Sequence, residues 1–193
     1  MTFEIFLVFL LSYISGSIPF GLVLTKLFLN KDIREIGSKN IGATNVLRTG
    51  NKLIAGITLF LDIAKGVIPI LITKHFFPNL IFLSGLMAFL GHIFPVWIKF
   101  KGGKGIATYL GIIFALSLKL GIFFCISWIL IAAITKYSSL SSIVASLTVF
   151  LISFWENNFE LNLYLFITFV IILYTHRQNI IRIKNKTEDK IKL

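Results

Sequence analysis

The sequence predicts an all-α integral membrane protein of seven transmembrane helices, with the N-terminus outside the cell and the C-terminus in the cytoplasm. Three observations lead there. Apolar residues make up 56% of the 193 and charged residues 14%, where a soluble protein carries about 25% charge. The apolar residues fall in seven runs. The basic residues, which give a net charge of +11, gather in alternate connections between those runs. A water-soluble globule of this composition would lack the polar surface to cover its core. Disordered, coiled-coil and collagen-like chains are excluded on the same ground. A basic soluble domain would point to nucleic acid; on a chain this apolar, the charge points to cytoplasmic loops and anionic partners. The single cysteine, Cys125, leaves no internal disulfide and no cysteine metal site.

A bilayer-spanning helix needs about 20 mostly apolar residues. The runs are Ile5–Thr25, Leu53–Thr73, His75–Ile98, Gly105–Leu118, Leu120–Thr135, Tyr137–Trp155 and Leu161–Thr175. The first is expected to be retained rather than cleaved, because Glu4 replaces a basic leader and lysines follow the run. The fourth is short for a full crossing. Seven spans with an outside N-terminus leave sixteen of the nineteen Lys and Arg in the cytoplasm: six over 26–52, three over 99–104, Lys136, and six from Arg177 to Lys192. Lys74 and Lys119 fall outside and Lys65 lies within a span, as the positive-inside rule requires. Residues 1–193 read as one domain, with a short charged cytoplasmic tail from about 184 that has the composition of a disordered segment.

The polar residues collect on the cytoplasmic side. The stretch from Ile36 to Arg48 holds Gly37 and Gly42, the donors Ser38, Thr44 and Asn45, and the cations Lys39 and Arg48. Small residues that let the backbone approach a ligand, with hydroxyls and a guanidinium, suit a phosphate. The same residues would serve an ordinary polar turn with Thr44 or Asn45 as a helix N-cap. Lys101-Gly-Gly-Lys-Gly105 stands directly before an apolar run, so its backbone N–H groups could face an anion. It lacks the Walker A spacing, which argues against an ATPase. Its lysines could equally enforce topology, and the nearby His92 and Pro95 read as packing and kink residues.

Four serines over Ser138–Ser142 read first as helix caps, with a site role as the alternative. His176 and Asn179 share a helix face at the same membrane depth, as site residues or as snorkelling interfacial ones. Asp62 and Lys65, three apart within the second run, read as a buried ion pair, with Pro69 kinking the helix beyond. No acidic residue lies among the Gly, Ser and Lys clusters to hold Mg²⁺, which disfavours metal-bridged phosphoryl transfer. No hydrolase nucleophile elbow is present. What remains is a metal-free membrane site for phosphorylated substrates. A transporter of a phosphorylated or anionic solute and a non-enzymatic membrane subunit are the competing classes.

Seven motifs in order resemble the bacterial acyl-phosphate-dependent glycerol-3-phosphate acyltransferases, the PlsY family. They are Ser15-Gly-Ser-Ile-Pro-Phe-Gly21; Gly37-Ser-x-Asn-x-Gly-Ala-Thr-Asn45 with Arg48; Leu61-Asp-x-x-Lys-Gly66; Gly91-His-x-x-Pro95; Phe100-Lys-Gly-Gly-Lys-Gly105; the run Ser139–Ser142; and His176-Arg-x-Asn179. One departure is visible. Lys39 stands where family members usually have glycine.

The resemblance implies a seven-span enzyme of the bacterial inner membrane with its active site on the cytoplasmic side. It would transfer an acyl group from acyl phosphate to the 1-hydroxyl of sn-glycerol 3-phosphate, giving lysophosphatidic acid and phosphate, the first step of phospholipid synthesis. The partners are those two substrates and membrane lipid, with no cofactor, no metal and no nucleic acid, and the protein is expected to be a monomer. Carried over residue by residue, the resemblance assigns Arg48 and Lys104 to the substrate phosphates. Ser38, Ser142 and the backbone of Gly102, Gly103 and Gly105 would cradle a phosphate and polarise the acyl carbonyl. His176 and Asn179 would complete the network. Gly37, Asn40, Thr44, Asn45, Lys101 and Ser139 would line the substrates.

Overall fold

A computed structural model of the chain describes residues 2–191. Lys192, counted above with the basic tail, lies outside them. Among the described residues all regular elements are helical. They form two compact units that divide between Leu116 and Ser117, taken here in turn.

The first unit holds α1 (Thr2–Ser17), α2 (Phe20–Leu29), α3 (Ala43–Leu47), α4 (Lys52–Phe76), α5 (Ile81–Ile93) and α6 (Ile106–Leu116). The first apolar run is a broken helix. Pro19 lacks an N–H and pushes Ile18 out of helical geometry, so α1 stops and α2 begins. Lys65 Nζ donates to the Ile18 carbonyl across this break at 2.7 Å. Lys65 is also paired to Asp62 at 2.8 Å, both side chains 2% exposed. The ion pair read from the sequence therefore serves the fold directly, by adding a second donor to the Ile18 carbonyl, which also accepts from Phe20 N at 3.1 Å. The expected kink at Pro69 does not end the helix, and α4 continues through it to Phe76.

Helices pack closely where glycines remove side chains. Gly16 of α1 lies against the Ala88 backbone of α5, and Gly111 of α6 lies against the Ile63 backbone of α4. Ser12 and Ser84 bond across α1 and α5 at 2.9 Å.

The second unit holds α7 (Leu118–Thr135), α8 (Ser138–Ser153), α9 (Phe159–Thr175) and α10 (Arg177–Lys184). Ser117, inside the fourth run, is the single residue between α6 and α7; its extended backbone ends α6 and its hydroxyl caps α7 at Leu120 N. The α7–α8 contact carries Ser127–Thr148 at 3.2 Å and Trp128 Nε1 donating to Ser142 Oγ at 3.1 Å. Phe150 anchors α8 to α9 through Phe166. At His176 the chain turns by 57° into α10.

The structure corrects two expectations. The serines of α8 do not cap it. Tyr137 is the N-cap without a side-chain bond, and the Ser141 and Ser142 hydroxyls bond one turn back to the carbonyls of Tyr137 and Ser138. Helical serines take this i−4 bond because it satisfies the hydroxyl locally. Nor is the described tail disordered. It folds back so that Ile191 N donates to Lys136 O at 2.8 Å.

Five helical segments are long and apolar enough to cross a membrane: Thr2–Leu29, Lys52–Phe76, Pro78–Ile98, Leu118–Thr135 and Ser138–Glu156. The bent pair α9 and α10 makes a sixth if it counts as one span, and α6 is a shorter apolar helix. At 11 residues α6 is about 16 Å long, half a bilayer core. The expected short fourth span is thus shorter still, because Gly105 and Ser117 bound it.

Candidate functional site

The segment from Gly37 to Arg48 is built around Asn45. This side chain is 2% exposed. Its Oδ1 accepts from Ser38 N at 3.0 Å, and its Nδ2 donates to the carbonyls of Ile33, Ile36 and Asn40 at 3.0, 2.9 and 2.8 Å. One amide therefore closes the whole loop. Asn45 lies beneath the loop as its organiser, and neither it nor Thr44 caps α3, whose N-cap is Gly42. Ile33, Ile41 and Val46 pack the underside against Leu22, Ile54 and Ala55. Gly37 sits in the left-handed region at φ 51°, and a side chain there would stand 2.7 Å from Arg48 Cδ. The Arg48 side chain thus lies across the glycine. Gly37, Ser38, Lys39, Thr44 and Arg48 are exposed on the open face, and Asn40 is half-buried with Oδ1 on Gly42 N.

Asp32, just upstream, binds Arg34 with both oxygens, at 2.9 and 2.6 Å, and Lys26 at 3.4 Å. The Arg34 guanidinium holds the Asp32 carboxyl well below the usual carboxylate range. Two of the six cations of this connection therefore share one carboxylate.

The stretch Lys101–Gly105 departs from its expected form. Gly102 N donates to Ile93 O at 3.0 Å and Gly103 N to His92 O at 3.1 Å. Those two amides are used in folding the loop back on the end of α5, which takes them out of the donor set for an anion. The glycines are needed because the backbone passes against Ile93 and His92; a side chain on Gly103 would meet the His92 ring. His92 is buried, 3.2 Å from Thr108 Oγ1 and 3.8 Å from Asp62 Oδ1. It reads as packing, as expected. The loop leaves Lys101 exposed and Lys104 half-buried at the entrance to α6. Gly105, at φ 83°, starts the helix by accepting from Tyr109 N.

In the second unit Ser139, Ser142, His176 and Asn179 are all buried. Ser142 Oγ is engaged with Trp128 and Ser138. His176 Nδ1 lies 2.9 Å from Ile172 O. A carbonyl only accepts, so Nδ1 is assigned as the donor in this bond. Ser139 and Asn179 are joined by a residue that the sequence reading missed, Glu188. Its Oε1 accepts from Ser139 Oγ at 2.7 Å and from Asn179 Nδ2 at 2.6 Å, while Oε2 accepts from Arg182 Nε at 2.7 Å. Burial pushes this carboxyl up, but the three donors outweigh burial and hold it below the usual glutamate value. The sequence offers no signal for it, because Glu188 stands beside Asp189 in a tail of mixed charge.

That shift has a consequence for acid stability. A carboxyl with a depressed folded value stabilises above the ordinary glutamate range of ~4.3 and loses that effect as pH falls through and below it. Glu188→Gln is therefore expected to lower the melting temperature of the detergent-solubilised protein by several degrees at pH 7. The gap to wild type should close toward pH 3. An equal gap at both pH values would refute the ionic role.

Among the described residues no group of three or more His, Cys, Asp or Glu gathers as a metal site. A shallow apolar groove of about 390 Å³ runs between α2 and residues 96–98, lined by Ile18, Pro19, Leu22, Val23, Lys26, Trp97 and Ile98. It contains none of the candidate site residues.

Long apolar helices with hydrogen-bonded polar loops define a multi-pass membrane protein. The family model described as glycerol-3-phosphate acyltransferase matches residues 6–186. A glycerol-3-phosphate acyltransferase of Pelagibacter ubique is 56% identical over 192 residues, covering 98% of this chain and 99% of that one. One from Brucella ovis is 52% identical over 179 residues, covering 93% and 89%. A crystal structure of PlsY (YgiH), an integral membrane glycerol 3-phosphate acyltransferase in its glycerol 3-phosphate form, superposes with a TM-score of 0.93 at 37% identity, covering 97% of this chain and 96% of that one. Its lysophosphatidic acid form gives 0.90 at 36% identity, covering 97% and 95%. The chain belongs to the PlsY family of glycerol-3-phosphate acyltransferases.

Proposed function

We propose that this protein transfers an acyl group from acyl phosphate to the 1-hydroxyl of sn-glycerol 3-phosphate, releasing lysophosphatidic acid and phosphate. The carrying observation is the loop closed by Asn45, which holds Ser38 and Arg48 on one open face. The likeness to structures in glycerol 3-phosphate and lysophosphatidic acid forms supports the same acceptor and product. A transporter reading has no observation of its own.

Both substrates are phosphate monoesters or close analogues, each carrying roughly two negative charges. Like-charge repulsion must be offset by cations, and Arg48 and Lys104 take that role. Ser38 donates to a phosphate oxygen. In the transfer the acceptor oxygen attacks the acyl carbonyl carbon and the bond from that carbon to the phosphate oxygen breaks. Phosphate leaves with that bonding pair, and the hydroxyl proton goes to a phosphate oxygen. The chemistry then needs positioning and charge stabilisation more than a strong protein base. Seven membrane segments, an outside N-terminus, a cytoplasmic site in the inner membrane and a monomeric state complete the reading.

Purified protein given palmitoyl phosphate and labelled glycerol 3-phosphate should form labelled lysophosphatidic acid and phosphate in equal amounts, and excess EDTA should leave the rate unchanged. Equal turnover with palmitoyl-CoA would remove the donor assignment. Loss with EDTA, restored by Mg²⁺, would remove the metal-free one.

His176 tests the proton path. With its Nδ1 held by Ile172 O, the ring orients neighbours. His176→Ala should lower activity while the acid limb of the rate profile keeps its shape, because a substrate phosphate titrating near ~6 generates that limb. A flattened limb would make His176 the base.

A further inference from the structure

We infer that Lys39 is a specificity-determining cation of the phosphate loop, drawing in the dianionic acceptor beyond what Arg48 does alone. The inference rests on the acyl-transfer reading above. Lys39 adopts φ 59°, in the left-handed region. Glycine takes that conformation freely, whereas an L side chain is strained in it. The backbone at this point is held by Lys39 N donating to Ile36 O at 2.9 Å and by the Asn45 bonds on either side, so the lysine cannot relax by moving the loop.

The side chain gains nothing within the fold to compensate. Lys39 is exposed, and its ammonium makes no hydrogen bond or ion pair among the described residues. Lys26 and Arg34 share the carboxylate of Asp32; Lys39 has no such carboxylate. It follows Ser38 directly, and Arg48 lies over Gly37, two residues before it. A dianion on this open face is attracted by the charge of Lys39 as well as by that of Arg48. The same backbone occurs at Lys99 and Lys186, at φ 53° and 59°; Lys39 differs in standing directly after Ser38 on the open face, where an anion gives its charge a role.

The charge acts through water at a distance, so its effect should be on capture rather than on the chemical step. At about 10 Å in water a unit charge attracts a dianion enough for roughly a three- to five-fold change in affinity, screened as salt shortens the Debye length to a few ångströms. Lys39→Gly, Lys39→Asn and Lys39→Arg are compared in membranes at low salt and at about 0.5 M salt. Lys39→Gly and Lys39→Asn should raise the KM for glycerol 3-phosphate about three- to five-fold at low salt, with kcat within two-fold. The difference should vanish at high salt, and Lys39→Arg should match wild type. Lys39→Gly should melt no lower than wild type, which separates lost charge from lost structure. An unchanged KM in Lys39→Gly at low salt, or Lys39→Arg behaving like Lys39→Gly, would overturn the inference. Calorimetric binding of glycerol 3-phosphate without donor gives an independent reading. Weaker binding by the neutral variants supports a role for Lys39 even if the donor proves not to be acyl phosphate, and equal binding by all variants removes it. If wild type neither binds glycerol 3-phosphate nor turns over, the acyl-transfer reading falls and takes this inference with it.

Discussion

Arg48→Lys is expected to lower kcat/KM for glycerol 3-phosphate by about a hundred-fold or more, although the charge is kept. The guanidinium is planar and offers a fixed fork that matches two phosphate oxygens, while an ammonium is a hydrated point charge. The geometry here favours the fork: the Arg48 stem lies across Gly37, so the head is set by the loop and not by solvent. A shorter, rounder group at the same place would leave one phosphate oxygen unserved. Loss of one preorganised donor from a transition state typically costs about 10²–10³ in rate. Lys104→Ala should be at least as damaging, since it stands half-buried where the glycine loop meets α6. Lys99→Ala and Lys186→Ala should stay within about two-fold, as exposed charges of the kind that act weakly. Steady-state kinetics on the four variants decide the matter. If Lys99 were essential and Lys104 dispensable, the phosphate would lie elsewhere.

Lys65→Met should be the most destabilising single change outside that site. It leaves the Asp62 carboxylate buried without its partner, and it removes one of the two donors to the Ile18 carbonyl at the α1–α2 break. Breaking a buried pair from one side costs about 3–5 kcal/mol, and loss of the Lys65 bond to Ile18 O, which keeps Phe20 N, adds about 1 kcal/mol. Loss of monodisperse protein in detergent, or a fall in melting temperature of ten degrees or more, is the expected reading. Adding Asp62→Asn should recover part of the loss by removing the lone charge, but not the part owed to Ile18. Wild-type stability in Lys65→Met, or full recovery in the double variant, would break this account of the pair.

Much of the fold was legible because the bilayer acts as a strong filter on sequence. A spanning helix must be apolar for its whole length, so Leu53–Thr73 reads almost directly as α4. Where the chain departs from the simple run, local chemistry is the reason. Pro19 splits the first run, and Ser117, inside the fourth, ends α6 and caps α7. Prolines and serines inside apolar runs carry both breaking and neutral readings, and Pro69, which leaves α4 intact, shows the neutral one.

The polar motifs were legible as places and less so as roles. Gly102 and Gly103 read as phosphate-facing amides, yet their amides close the turn on α5. Asn45 read as a substrate contact, and its amide instead closes the loop that holds Ser38 and Arg48. Glu188 was invisible, because its partners Ser139 and Asn179 lie 49 and 9 residues away and no local pattern joins them.

By itself the sequence determined the class, the order of the apolar segments and the identity of the residues able to meet a phosphate, because hydropathy and charge act on each residue according to its solvent. Only the tertiary structure decided which amides and carboxylates are already engaged. A hydrogen bond is satisfied by whichever partner the fold brings within about 3 Å. That partner is set by packing between segments far apart in the chain, where one-dimensional spacing carries no signal.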